Sequence, residues 1–234
     1  MQILVTNDDG AKAYGLHALR RAAQMTWPTA TIITLTTETP CGGQGMSVTC
    51  VDLDELQIQS LEPDVYVVKC RPADLVYLAL GRAGRFLRTG CFDLVLCGVN
   101  HGQNVGMDIF HSGTVGMAML ASTFYGVPAI AFSQQLLNYG AHVASEDQSL
   151  LRHSEYVVGG FLQNLPLERG RCMNVNLPAK DPLGWKTCPV ALHSRFRPHR
   201  SEERNLEGYD VTELERGYAT ISPLELRTIS SSFS

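Results

Sequence analysis

Apolar and polar residues follow one another along the first 135 residues in the order of short strands separated by helices. Apolar runs typical of strands lie at 2–6, 31–36, 64–69, 92–97 and 128–133. Between them, helical periodicity spans about 15–26, 72–88 and 114–125. Strands that alternate with helices favour a parallel sheet covered on both faces. The pattern therefore predicts an α/β protein with three layers, α/β/α.

Two of these runs are continuously apolar, without the alternation of a strand that faces water on one side. They are Leu94 to Cys97 and Ala129 to Phe132. Continuous apolar character is expected of strands buried on both faces. We therefore expect these two strands to lie in the centre of the sheet.

The pattern changes in the second half of the chain. A helix fits 146–164 and a strand fits 172–177. Residues 193–216 are charged and poor in apolar side chains, which predicts an exposed arm or hairpin, while 217–224 returns to strand-like alternation. This change of pattern sets the predicted domain organisation.

We therefore predict two parts of the chain. Residues 1–190 would form the catalytic core, and residues 191–234 would form a C-terminal arm or hairpin with one strand.

The charge balance limits the partners. With 19 basic and 23 acidic residues, the formal net charge is -4. A surface without excess positive charge cannot replace the counterions of a nucleic-acid backbone. Polymeric nucleic acid is therefore not an expected partner.

Cysteine usage and hydropathy indicate the compartment. The seven cysteines contain no C-x-x-C pair, so a zinc or redox motif is not predicted. The chain starts with a strand rather than a charged and then apolar leader, and no apolar stretch approaches the ~18 residues that span a bilayer. We expect a cytoplasmic protein without a membrane partner.

Two adjacent carboxylates, Asp8 and Asp9, follow the first strand directly. The carboxyl end of a strand is where open α/β sheets bind ligands, and two close like charges are stabilised by a divalent cation between them. The sequence Asn7 to Gly10 is also typical of a tight turn, so the motif alone leaves both interpretations open.

The strand at 92–97 is followed by a glycine-rich loop that contains Asn100 and Asn104. Amide oxygens can bind a hard cation, and amide N–H groups can donate to phosphate, although ordinary glycine turns would also explain this loop. Further along, Ser112 and Thr114 stand at the start of the helix at 114–125. The start of a helix attracts anions, while simple capping is the alternative.

Together these groups predict a cation and a phosphate at one edge of the sheet. This chemistry is that of a metal-dependent phosphomonoesterase in which water is the nucleophile. A dehalogenase-type phosphatase, which uses a D-x-D-G motif, is excluded because Asn7 stands two residues before Asp9 and cannot form an aspartyl phosphate. No dinucleotide, P-loop or serine-hydrolase motif occurs.

Four stretches of the chain resemble the SurE family, the survival-protein nucleotidases. They are MQILVTNDDGAKAYG at 1–15, CGGQGMSVT at 41–49, GVNHGQNVGMDIFHSGTV at 98–115 and GYATISPL at 217–224. The resemblance implies a Rossmann-like fold and hydrolysis of nucleoside 5′- or 3′-monophosphates, with action on short polyphosphate in addition. It also implies one divalent cation per subunit, magnesium or manganese, and a homodimer or homotetramer built with the C-terminal arm.

The resemblance also implies roles for individual residues. Asp8 and Asp9 would be the catalytic pair and, with Asn100, the metal ligands. The phosphate and substrate site would contain the following residues: Asn7, Asn104, Ser112, Gly113 and Thr114.

The chain departs from the family where a serine is expected to be the fourth protein ligand, because Gly42 stands at that position. A water could replace a neutral hydroxyl on magnesium, so we expect weaker cation binding. The alternative is a degenerate member that binds a nucleotide or a partner without turnover. Tyr14 and His111 also replace the family's proline and tyrosine.

Overall fold

The computed structural model describes residues 1–81, 91–136, 148–163, 171–194 and 206–225. The strands are β1 (Gln2–Asn7), β2 (Thr31–Thr37), β3 (Ile58–Glu62), β4 (Val65–Val68), β5 (Leu94–His101), β6 (Ala129–Gln134), β7 (Cys172–Leu177), β8 (Trp185–Thr187) and β9 (Ala219–Leu224). The helices are α1 (Tyr14–Thr26), α2 (Pro72–Leu80), α3 (Gly113–Thr123), α4 (Gln148–Leu162) and α5 (Asp210–Glu215). Short 3₁₀ turns cover Leu53–Glu55 and Gly106–His111.

The strands form one sheet in the order β3-β4-β2-β1-β5-β6-β7-β9-β8. All pairs from β4 to β7 are parallel. Antiparallel pairing occurs where β3 joins β4 and where β9 joins β7. The predicted mainly parallel sheet is confirmed.

The strand order reverses at β1. The chain proceeds from β1 to β2 and β4 on one side and then continues as β5 on the other side of β1. In open α/β sheets, the connections that leave such neighbouring strands in opposite directions open a crevice at the carboxyl ends. The loops after β1 and β5 therefore border the place where this fold binds ligands.

Apolar side chains of β1 alternate between two cores. Ile3 and Val5 belong to the core under α1 and α4, whereas Leu4 belongs to the core under α2 and α3. The helices thus cover both faces, which confirms the three-layer α/β/α architecture. Burial of both strand faces, as in the fully buried Leu94 to Cys97, provides the main stabilisation through removal of apolar surface from water.

The structure shortens one predicted helix and adds two strands. Helix α2 ends at Leu80, short of the predicted 88, and residues 82–90 lie outside the described part. Strands β3 and β8 were not predicted. Both lie toward the edges of the sheet, and most residues of β3 are exposed, so they lack the apolar pattern that reveals a buried strand.

The predicted exposed arm at 193–216 is wrong for its last part. Helix α5 buries Val211 and Leu214, and its few apolar residues are too sparse to produce a helical pattern. Strand β9 lies between β7 and β8, so this part of the predicted segment 191–234 belongs to the sheet. Residues 195–205 lie outside the described part.

The division at residue 190 and the role of the C-terminal segment in oligomers stay predictions. In the ranges that the structure describes, no helix has the length and apolarity needed to cross a membrane.

Candidate functional site

The two carboxylates follow the last residue of β1 and lie at the reversal of strand order. Asp8 is 1 % exposed and Asp9 is partly buried. Thr114 Oγ1 donates to Asp8 Oδ1 at 2.6 Å, and the His101 backbone N–H donates to Asp9 Oδ2 at 3.2 Å. Each carboxylate is therefore oriented by a group from the β5 side of the crevice.

No cationic side chain of the described residues forms a salt bridge with Asp8 or Asp9. Burial raises the pKa of both carboxyls from 3.8 to about 6, and the charge of Asp9 is a further cause for Asp8. The ionised pair is thus unfavourable as it stands, and a positive charge would stabilise it.

Asn100 lies at the carboxyl end of β5, opposite Asp8 and Asp9. Its Nδ2 donates to Gly102 O at 2.7 Å, and its Oδ1 lies 3.3 Å from Thr114 Oγ1. The amide nitrogen of Asn100 is thus engaged with the loop, and the amide oxygen faces Thr114. Thr114 also binds Asp8. Thr114 therefore connects two of the predicted metal ligands.

Asn104 is held by three polar residues of β6 and β7. Its backbone N–H donates to Asn176 Oδ1 at 2.7 Å, and its backbone oxygen accepts from Asn174 at 2.8 Å and from Asn176 at 3.0 Å. Its Nδ2 donates to Ser133 Oγ at 2.9 Å. An amide nitrogen carries two hydrogens, so one remains for a substrate oxygen.

The start of α3 faces the same crevice. Ser112 is the N-cap, and its Oγ accepts the Val115 N–H at 3.1 Å. The first N–H groups of a helix have no partner inside the helix, so those of Gly113 and Thr114 are available to an anion. A Cβ at position 113 would lie 2.5 Å from Asp8 Oδ2, which places the helix start directly against the carboxylate.

The loop after β2 closes another side of the site. The Cys41 N–H donates to Asp8 O at 2.7 Å, and the Gly45 N–H donates to His111 O at 3.0 Å. Gly42 lies between these two anchors, and a Cβ built on it would meet nothing within 4 Å. The position that the family resemblance assigns to a serine is therefore open.

These groups line a cavity of about 150 Å³. Its lining includes all the predicted residues but two: Asp8, Asp9, Gly42, Asn100, Asn104, Ser112 and Gly113. Thr114 follows the lining residue Gly113, and its hydroxyl donates to Asp8. Asn7 is fully buried, and its Oδ1 accepts from Thr36 Oγ1 at 2.5 Å, so its side chain is directed into the sheet.

Several residues around the cavity lie outside the predicted metal and phosphate set. His101 lines the cavity and stacks on Tyr14, with ring centroids 4.2 Å apart and an angle of 16° between the planes; burial lowers the pKa of its imidazole. Asn174 and Asn176 have a signal in the sequence, because two asparagines interrupt the otherwise apolar strand β7. Both are fully buried in the structure.

A larger cavity, of about 840 Å³, lies between α1, α4 and residues 181–185. Its Glu155 carboxylate forms a salt bridge with Arg21 at 3.3 Å. This cavity lies away from the carboxyl ends of β1 and β5, so the smaller cavity remains the candidate functional site.

The donor set suits a hard divalent cation. Two carboxylates and one amide oxygen are the oxygen ligands that magnesium and manganese accept. The described residues contain no cluster of three or more His, Cys, Asp or Glu side chains arranged for a metal. The charge of the buried pair and its oxygen chemistry therefore fit the predicted cation.

The raised pKa values predict how the cation-free protein responds to pH. Folded Asp8 and Asp9 bind protons more tightly than in the unfolded chain, where the pKa is near 3.8. The free energy of unfolding should therefore decrease as pH rises from about 4 to above 6. We expect a change on the order of 1 kcal/mol or more, measured by urea unfolding in EDTA as the difference from the double variant Asp8→Asn, Asp9→Asn.

The control variant lacks the ionisable pair and keeps its shape. A difference between wild type and variant that does not change between pH 5 and 7.5 would contradict the proposed electrostatic strain.

The fold and site define an α/β protein with a crevice at the carboxyl edge of its sheet. The crevice contains a pair of carboxylates and the start of a helix that can bind an anion. The family profile described as "Survival protein SurE" matches residues 3–212. The chain belongs to the SurE family, which confirms the resemblance seen in the sequence.

Individual relatives agree with this membership. The chain is 31% identical over 250 residues to 5′-nucleotidase SurE of Campylobacter jejuni, covering 96% of this chain and 92% of the relative. It is 29% identical over 245 residues to 5′-nucleotidase SurE of Rhizorhabdus wittichii, covering 96% and 93%. The crystal structure of SurE protein from Aquifex aeolicus superposes with a TM-score of 0.75 at 26% identity, covering 98% of this chain and 95% of the other.

Proposed function

We propose that this protein is a divalent-cation-dependent nucleotidase that hydrolyses the phosphomonoester of nucleoside monophosphates. One observation carries the proposal: a buried and a partly buried carboxylate, which form no salt bridge with any cation in the described part of the chain, meet the start of α3 in one cavity. The pair requires positive charge and the helix start attracts negative charge, so a cation and a phosphate complement them. Relatives that bear the name 5′-nucleotidase SurE support a nucleotide as the substrate.

Asp8, Asp9 and Asn100 would hold the cation, with magnesium or manganese as the first metals to test. When bound, it would lower the pKa of the attacking water and stabilise negative charge on the phosphoryl oxygens. Thr114 fixes the orientation of Asp8 and Asn100 by its contacts of 2.6 and 3.3 Å. A preorganised ligand set of this kind loses little free energy to reorganisation during the reaction.

The phosphate would bind where α3 begins. The Gly113 and Thr114 N–H groups and the remaining Asn104 amide hydrogen would donate to its oxygens. Because Ser112 caps the helix with its own hydroxyl, the helix start is fixed before substrate arrives. The phosphorus would thus lie in the cavity that Gly113, Asp8 and Asp9 line together, close to water held on the carboxylate side.

A phosphate-release assay tests this proposal. The purified protein is incubated with 5′- and 3′-nucleoside monophosphates and with tripolyphosphate, each in manganese, in magnesium and in EDTA. We expect release from nucleotides that requires the cation. Release that is equally fast in EDTA would contradict the metal-dependent mechanism, and binding of nucleotide without release would favour the degenerate binding protein.

Restoring an oxygen at position 42 should strengthen cation binding. Gly42 lines the cavity, and a Cβ there is unobstructed, so a serine hydroxyl could replace one water on the cation. In Gly42→Ser we expect manganese affinity, measured by calorimetry, to rise by roughly tenfold or less.

Gly42→Ala is the matched control, because it adds the same Cβ without the oxygen. Equal affinities in the two variants would show that Gly42 is not the position of the missing ligand.

A further inference from the structure

The segment between Asn104 and Ser112 connects the two predicted phosphate-binding elements. Its central part is the 3₁₀ turn Gly106–His111. The first two N–H groups of this turn donate to residues from the C-terminal part of the chain. The Gly106 N–H donates to the Asp210 carboxylate, and the Met107 N–H donates to His193 O at 2.7 Å. Residues distant in sequence therefore fix the connection inside the site.

Asp210 is the centre of this arrangement. It is fully buried. Its Oδ2 accepts the Gly106 N–H at 2.9 Å, and its Oδ1 accepts the N–H groups of Ala191 and Val211, each at 2.9 Å. One carboxylate thus ties three backbone segments together, and hydrogen bonds to a charged acceptor are stronger than neutral ones.

The backbone at Gly106 is also restrained by close packing. Its φ is +58°, and a Cβ there would lie 2.2 Å from His193 O. A neighbouring contact adds to this restraint, since Ser194 Oγ donates to Asp108 Oδ1 at 2.6 Å. The turn therefore has little room to shift while Asp210 keeps its three hydrogen bonds.

The three predicted metal ligands depend on other contacts. Asp8, Asp9 and Asn100 are oriented by Thr114, the His101 N–H and Gly102 O. None of the hydrogen bonds of Asp210 given above reaches these groups. The two halves of the site share Thr114, but the connection from Asn104 to Ser112 has its own support from Asp210.

We propose that Asp210 is a positioning residue that holds the Asn104 to Ser112 connection, and with it the phosphate-binding half of the site, in its binding geometry. This inference rests on the proposed function, because it assigns a support to the phosphate half of the same site. Loss of Asp210 should weaken phosphate and substrate binding while cation binding is preserved.

The test compares Asp210→Ala and Asp210→Asn with Glu213→Gln. Glu213 is the matched control, because it lies on the same helix and is 2 % exposed, yet its carboxylate binds Lys186, Arg216 and the Gly208 N–H rather than the 104–113 segment. For each protein, calorimetry gives the affinity for manganese alone and for inorganic phosphate, and kinetics with AMP give KM and kcat.

In Asp210→Ala we expect KM for AMP and the dissociation constant of phosphate to rise by on the order of tenfold to a hundredfold, since small displacements of binding groups have effects of this size. Manganese affinity should change by less than about twofold, because Asp210 accepts from Gly106, Ala191 and Val211 and from none of the groups that orient the metal ligands. Asp210→Asn retains an acceptor oxygen and should lie between Asp210→Ala and wild type. Glu213→Gln should bind phosphate as wild type does.

If wild type is active, two results would overturn the role of Asp210 and leave the proposed function intact. One is an equal KM in Asp210→Ala and Glu213→Gln, and the other is a parallel loss of manganese and phosphate affinity. If Asp210→Ala does not fold, Asp210→Asn decides the same comparison. A wild type that neither releases nor binds phosphate would instead overturn the proposed function, and the inference with it.

Discussion

The Asp9→Asn variant is expected to lose ~10³-fold or more in kcat/KM, equivalent to ~4 kcal/mol of transition-state stabilisation. Asparagine keeps the shape of the side chain and an oxygen that can accept the His101 N–H, which now donates at 3.2 Å. What the variant removes is one of the two negative charges available to a cation. Phosphate release and manganese affinity, measured on the same preparation, should fall together.

The same variant should not lose stability when the cation is absent. Burial raises the pKa of Asp9 to about 6, so above that pH the ionised carboxylate disfavours folding. Removing the charge should leave the thermal midpoint in EDTA at pH 8 unchanged or higher. A variant that loses activity only because it unfolds would contradict this prediction.

Asp74→Asn is the control, and it should lose stability rather than activity. Asp74 is buried, and its Oδ2 accepts from the backbone N–H groups of Thr49 and Arg71, each at 3.0 Å. Its substitution should lower the thermal midpoint with a far smaller effect on kcat. Similar kinetic losses in Asp9→Asn and Asp74→Asn would argue against a special role for Asp9.

Gly113→Ala is the second substitution with a large expected effect. Its Cβ would lie 2.5 Å from Asp8 Oδ2 and 2.9 Å from Pro72 Cγ, so either Asp8 or the start of α3 must move. We expect a loss of ~10²-fold in kcat/KM, because the carboxylate and the phosphate-binding N–H groups separate, and a loss of about 1–3 kcal/mol in stability from overpacking. Steady-state kinetics and urea unfolding measure the two effects.

Gly159→Ala in α4 is the matched control for placing alanine at a helical glycine. A Cβ at Gly159 meets nothing within 4 Å, so this variant should gain about 0.5–1 kcal/mol from helix propensity and keep its activity. Full activity in Gly113→Ala would show that the contact between α3 and Asp8 is not needed for function.

Local sequence was sufficient to identify the central strands. Leu94 to Cys97 and Ala129 to Phe132 are apolar at every position, and a short run of this kind between turn residues is typical of a strand covered on both faces. The same reasoning did not find β3, β8 or α5. Ile58–Glu62 is mostly exposed and Trp185–Thr187 has three residues, so their hydrogen bonds to neighbouring strands, rather than their own hydrophobic pattern, define them.

The site divides in the same way. The sequence by itself determined which polar groups follow the strands, since Asp8 and Asp9 come directly after β1 and Asn100 ends β5. Only the tertiary structure decided that β1 and β5 are neighbours at the reversal of strand order, that Thr114 bridges Asp8 and Asn100, and that Asp210 reaches Gly106 across 104 positions. Strand order and long-range hydrogen bonds depend on how whole elements pack, and a hydrophobic pattern records only which face of each element is buried.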